Sequence, residues 1–185
     1  LLYNIADVTV QLSSNEGWGL ALTESLLTGT MIIANVTGGM QDQMRFSKDG
    51  EWIDFDADFP SNHRGDIKDH GEWAEPVFPT NISIAGSPPT PYIFDDRCSP
   101  KDAALKMKKV YELGKEERDR RGMKGYEWAT GDEAKFTAAH MCDSAIKYLD
   151  EGFDKFIPRK KYEFHKIDKL PRKYIEHKLI DYSYE

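Results

Sequence analysis

The chain has 185 residues, with 32 acidic against 25 basic side chains and a formal net charge of −7. That balance argues against a nucleic-acid binder, and no run of about 18 apolar residues is present to make a membrane-crossing helix. Two cysteines, Cys98 and Cys142, supply neither a disulfide framework nor a metal cluster, so a reduced cytosolic thiol pair is expected.

The chain opens on what reads as the end of a helix. From Ala6 to Leu12, Val8, Val10 and Leu12 alternate with Asp7, Thr9 and Gln11, the pattern of a short strand. Leucines at 20, 22, 26 and 27 then predict a helix, with Gly29 where it should stop. Met31 to Ala34 is a short apolar run, read as a buried strand ending at Asn35. Strand, loop, helix and strand in this order form a βαβ unit and imply a parallel sheet. In such sheets ligands bind at the loops that leave the carboxyl ends of the strands.

The first of those loops, Ser13 to Leu20, has suitable chemistry. Gly17 and Gly19 flank Trp18, so the backbone can approach a ligand and present free N–H groups, which favour an anion such as a diphosphate. Glu16 opens the turn and Glu24 follows a little over two helical turns later. Both carboxylates can accept hydrogen bonds from vicinal hydroxyls, which suits a sugar and a ribose. The second loop, Thr37-Gly38-Gly39-Met40-Gln41-Asp42, carries paired glycines. Its Gly39 and Met40 amides are expected to face the same ligand, with Asp42 as a helix cap or a hydroxyl acceptor.

Glu16 and Glu24 with seven residues between them, Gly17-Trp18-Gly19-Leu20 after the first, and Thr37-Gly38-Gly39 after the next strand are the residues that carry a resemblance. This stretch, roughly residues 3–45, resembles the carboxyl-terminal nucleotide-sugar domain of GT-B glycosyltransferases, closest to the retaining group-1 (family 4) type. Trp18 stands where that family usually has Phe, and Ser25 where Ala is common. The resemblance implies an α/β, Rossmann-like fold and transfer of a hexose from a nucleoside-diphosphate sugar to an acceptor hydroxyl, with retention. It implies that Glu16 contacts the donor sugar near the reacting centre and that Glu24 binds the ribose hydroxyls. The amides of Gly17, Trp18, Gly19 and Leu20 would approach phosphate and sugar, and Gly38, Gly39 and Met40 would complete the donor pocket. It implies no bound metal or other cofactor. The family also uses an Arg and a Lys from earlier strands of the same domain, which here would precede Leu1. On that resemblance the chain is the later part of a donor domain, inactive in isolation, whose partner is an absent amino-terminal domain. The acceptor class (glycan, lipid or protein) stays open. So do a phosphorylase, a nucleotide-sugar epimerase and a non-catalytic nucleotide-sugar-binding module.

Residues 45–97 are rich in Asp, Gly, Pro and aromatics. An ordered excursion beside the cleft, with a short hairpin, is expected there, because its aromatic side chains can bury surface. Asp56-Ala57-Asp58 spells a metal motif of another transferase fold, and His63, His70 and Asp66 could be drawn as a site, but no repeated ligand spacing supports either. Pro91 to Asp95 reads as a final strand; the resemblance implies Asp95 and Asp96 as candidate donor contacts there, with helix capping as the alternative. Ser99-Pro100 then starts a helix with Ala103, Ala104, Met107, Val110, Tyr111 and Leu113 as its core face. Lys115 to Gly125 reads as a solvated charged face. A further helix is expected from Asp132 to Leu149, with Phe136, Ala139, Ile146 and Leu149 as its apolar stripe.

The tail interleaves aromatic and basic residues; from Phe153 to Glu185 nine Lys/Arg outnumber six Asp/Glu, giving +3 and leaving −10 for the first 152 residues. The expected organisation is a partial donor-binding domain over residues 1–150, followed by an extension over 151–185 that packs on the absent domain or a partner. The expected location is cytoplasmic, with peripheral membrane attachment open.

Overall fold

A computed structural model describes residues 2–159 except 54–58, 61 and 64. The Asp56–Asp58 motif, Arg64 and the tail from residue 160 onward lie outside the described residues. In chain order the elements are α1 (Leu2–Ile5), β1 (Val8–Gln11), α2 (Leu20–Leu26), β2 (Met31–Asn35), α3 (Met40–Met44), β3 (Ser47–Lys48) and β4 (Glu51–Trp52). They continue with β5 (Ala74–Val77), β6 (Pro79–Ser87), β7 (Thr90–Cys98), α4 (Pro100–Glu112), α5 (Gly114–Thr130) and α6 (Ala138–Asp154). The chain divides into two units, Leu1–Ser144 and Ala145–Glu185.

The organising layer of the first unit is a parallel sheet in the order β1-β2-β5. Val8 pairs with Met31 and Gln11 with Ala34, while Ile32 pairs with Ala74 and Asn35 with Val77. Every residue of β2 is buried, as expected for a central strand covered on both faces. Alternation sends its side chains to two separate cores. Ile32 and Ala34 join Leu22, Leu26, Met40, Met44, Phe46 and Ala129 on the side of α2, α3 and α5. Met31 and Ile33 join Val77, Ala103 and Val110 on the side of α4. The fold is therefore α/β with helices on both faces, a Rossmann-like arrangement, and both loops of interest leave carboxyl ends of its strands.

The excursion departs from expectation. It contributes β5 to the parallel sheet, which the sequence had not suggested, and two antiparallel hairpins, β3–β4 and the much longer β6–β7. Pro91 to Asp95 is strand, but it belongs to the β6–β7 hairpin and does not extend the parallel sheet. The Pro-rich stretch at 88–91 forms its tip, where Ser87 pairs with Thr90. The aromatics divide: Trp73 is buried in the core, whereas Trp52 and Tyr92 are exposed.

Ser99 caps α4 as expected, its hydroxyl accepting the Asp102 amide at 3.3 Å with Pro100 in the first turn. The buried face of α4 is narrower than its leucine-like spacing implies. Ala103 and Val110 are buried, while Ala104, Met107 and Tyr111 are exposed. Between those two, Lys106 reaches back to the buried Glu75 of β5 at 3.1 Å. In α5 the charged side chains are largely solvated, but Gly122 and Gly125 are buried. A Cβ on Gly122 would lie 1.9 Å from the Gly29 carbonyl oxygen, so only glycine lets α5 approach the end of α2 this closely. The last helix starts at Ala138, later than expected; Phe136 lies in the preceding turn, packed edge-on to Trp18 and Trp128 at 5.3 Å each. Ala139, Ile146 and Leu149 are exposed. Both cysteines are free thiols, and no helix among the described residues is long and apolar enough to cross a membrane.

Candidate functional site

The glutamate loop is built from the end of β1 outward. Glu16 Oε1 accepts from Gln11 Nε2 at 3.1 Å and from the Ser13 hydroxyl at 3.0 Å, so one carboxylate oxygen is held by the strand and the loop that precede it. Gly19 sits at φ 84, a left-handed turn into α2 that would press a Cβ to 3.0 Å from the Met40 side chain. Trp18 points into the fold. Its indole N–H donates to the Thr23 hydroxyl at 2.8 Å, and that hydroxyl donates to Gln43 Oε1 at 2.8 Å. Gln43, fully buried, returns its amide to the carbonyl oxygens of Trp18 at 2.6 Å and Gly19 at 3.2 Å. The Trp18 ring is thus a pin that fixes the loop. Among the described residues the amides of Gly17, Trp18, Gly19 and Leu20 donate to no protein acceptor. With α2 only seven residues long, these loop amides rather than a long helix dipole supply the positive potential.

The glycine loop lies against the glutamate loop backbone to backbone. Gly38 is left-handed at φ 48, and a Cβ there would stand 2.1 Å from the Glu16 carbonyl oxygen. A Cβ on Gly39 would stand 2.2 Å from the Gly17 carbonyl oxygen. The Gly39 amide donates to Glu16 O at 3.2 Å and the Met40 amide to Thr37 O at 3.3 Å. The expectation that these two amides face a ligand therefore needs correcting: both are spent inside the protein, and the paired glycines serve close approach. The Met40 side chain is buried beneath Gly19.

Glu24 is exposed on α2, as is Leu20. The Glu24 carboxylate beside the Tyr3 hydroxyl pushes the Tyr3 phenol above its ordinary range. Asp42 is not a cap but an interior residue of the short α3. It lines a cleft of about 230 Å³ together with Trp18, Arg45 and Glu133. Burial pushes the Asp42 carboxyl up, partly opposed by Arg45. Arg45 itself is committed to Glu133, to the Ile53 carbonyl at 2.6 Å and to the face of Trp52 at 4.9 Å.

Asp95 and Asp96 part company. Asp95 stays on the hairpin, 3.1 Å from Arg97. Asp96 turns inward between the two loops, beside Asn35, Thr37 and Asn62, a polar cluster the sequence did not assemble. The one signal available was a pair of polar residues, Asn35 and Thr37, flanking Val36 at the carboxyl end of β2. Asn35, in a sequence that matches a glycosylation acceptor, is fully buried. His63 and His70 join no metal site: among the described residues no group of three or more His, Cys, Asp or Glu converges. His63 is instead ringed by Phe46, Phe78 and Phe59.

Residues 1–59 match the model of the family described as glycosyl transferases group 1. The match contains both loops, Glu16, Glu24 and the paired glycines, and so supports glycosyl transfer in general. No curated protein matches the chain. Neither the matched stretch of the group 1 family nor the parallel sheet that carries it includes the β6–β7 hairpin, α4, α5 or α6.

Proposed function

We propose that the chain forms the donor side of a GT-B glycosyltransferase, moving a hexose from a nucleoside-diphosphate sugar to an acceptor hydroxyl with retention at the anomeric carbon. The observation that carries this reading is the row of uncommitted amides from Gly17 to Leu20, next to a Glu16 already oriented by Gln11 and Ser13. Amides fixed before the ligand arrives cost little to reorganise as charge grows on a departing diphosphate. Glu16 orients the sugar through its second carboxylate oxygen. Glu24, on the solvent side of α2, holds the ribose hydroxyls. Basic groups for the diphosphate come from earlier strands of the same domain, and the surface for the acceptor from a further domain. No residue of this chain is assigned as a metal ligand, and the leaving phosphate takes the acceptor proton.

Calorimetric titration of the protein with UDP-glucose, GDP-mannose and ADP-glucose tests the reading. One of them binds; Glu24→Ala weakens both that donor and its free nucleotide about 10-fold, as expected for a lost charged hydrogen bond. Glu16→Ala leaves the nucleotide affinity within about 3-fold and removes transfer in the protein that carries both halves of the cleft. Binding of no nucleotide sugar, or Glu24→Ala binding as tightly as the parent, overturns it.

A further inference from the structure

Asp96 is 3% exposed and sits where three separate segments meet. Its Oδ2 accepts the Thr37 hydroxyl at 2.8 Å, and its Oδ1 accepts the Asn62 amide at 2.6 Å. Its own N–H donates to the Ser14 carbonyl at 2.8 Å, and its carbonyl accepts from Asn35 Nδ2 at 2.8 Å. That same Asn35 amide reaches the Ser13 carbonyl at 3.0 Å. One residue at the root of the β6–β7 hairpin thus fastens the start of the glutamate loop, the start of the glycine loop and the excursion. A buried carboxylate is tolerated only while its oxygens are filled, so these segments are held as a set. Thr37 directly precedes Gly38, and the Gly39 amide bonds the Glu16 carbonyl. Whatever fixes Thr37 therefore fixes the orientation of Glu16 and Gly17.

We propose that Asp96 is a positioning residue: it sets the Gly38–Gly39 loop against Glu16–Gly17, so that the free amides of the glutamate loop keep one direction, and it does not itself touch the nucleotide sugar. This rests on the transferase reading for its use, but its physical content can be measured without any ligand.

Asp96→Asn and Thr37→Val, each in the full chain, are compared with the parent by amide hydrogen exchange and then by calorimetry. The first turns an amide donor toward one of two existing donors, and the second removes the hydroxyl while keeping the shape. Exchange at Gly39 is expected to accelerate about 10-fold or more, with Ile32 and Ile33 of β2 unchanged, because only the local opening is affected. Affinity for whichever of UDP-glucose, GDP-mannose and ADP-glucose the parent binds is expected to fall about 10-fold, and that for its free nucleoside diphosphate to fall with it, because the amides meet the diphosphate in both. Unchanged Gly39 exchange in both variants overturns the proposal. So does equal acceleration at Gly39 and throughout β2, which marks loss of the fold rather than of loop position. A Gly39 response in a protein that binds none of the three donors leaves the positioning role standing and removes the transferase reading. Donor binding without a Gly39 response does the reverse.

Discussion

The amide of Gly39 donates to the main-chain carbonyl of Glu16 at 3.2 Å, and a methyl group on Gly39 would lie 2.2 Å from the carbonyl oxygen of Gly17. At Gly38 and Gly39 the two loops at the ends of β1 and β2 therefore meet backbone to backbone. Contact of this kind fixes the direction of Glu16 without using the carboxylate that would meet a ligand.

Gly39→Ala tests that contact. The obstacle is main chain rather than the end of a flexible side chain, so the loops must separate. A loss of about 1–3 kcal/mol in denaturant melts is expected, as for overpacking elsewhere. Gly17→Ala is the internal comparison, because a Cβ there meets nothing within 4 Å. It should change stability by less than about 0.5 kcal/mol. Equal effects of the two substitutions would show that the loops do not touch as described.

The β1–α2–β2 unit was legible because its signals are local: alternation, a leucine face, and glycines at φ 84 and φ 70 where the chain turns. The third strand was not. Ala74-Glu75-Pro76-Val77 carries a charge and a proline within four residues, both unfavourable strand signals. Among the described strands β5 lies at the sheet edge, where proline is tolerated, and its glutamate is neutralised by lysines from a helix much later in the chain. Similarly, the cluster of Asn35, Thr37, Asn62 and Asp96 joins residues from three segments far apart in sequence, and no spacing rule brings them together. In α6 the helical period was correct, but Ile146 and Leu149 are exposed, because periodicity states which face is apolar and not what covers it.

Glu75 supplies the next prediction. It is fully buried, 2.6 Å from Lys109 and 3.1 Å from Lys106. Burial pushes its carboxyl up, but the hydrogen bonds and charges of Lys109 and Lys106 outweigh that, and the net shift is downward from 4.5. A depressed carboxylate contributes stability that is present above its unfolded value and lost as pH falls through the folded one. Glu75→Gln should therefore destabilise by about 2 kcal/mol at pH 7 and by less at pH 3, where the carboxylate of the unfolded chain is already protonated and part of that contribution is lost. Chemical melts at the two pH values decide it; a cost independent of pH would mean the lysines do not ionically engage Glu75.

His63 acts in a higher window. Its ring stands 4.4 Å from Phe46 and 5.5 Å from Phe78, and its Nδ1 accepts the Ile67 amide at 3.3 Å, so the folded form is neutral with the proton on Nε2. Burial pulls its pKa below 6.5, partly offset by Asp66. His70 is lowered for the same leading reason. A histidine whose folded value is depressed stays neutral in the folded protein while the unfolded chain takes up a proton near 6.5. Stability therefore falls as pH drops below that value, by up to about 1.4 kcal/mol per pH unit for each such group. His63→Phe keeps an aromatic ring in the cage and removes one proton from this balance. It loses the bond to Ile67 at every pH, so it starts lower, but the slope of its stability between pH 7 and pH 5 should be visibly flatter. Urea melts of both proteins across that range measure the slope directly, and parallel lines would show that His63 already takes up its proton in the folded state.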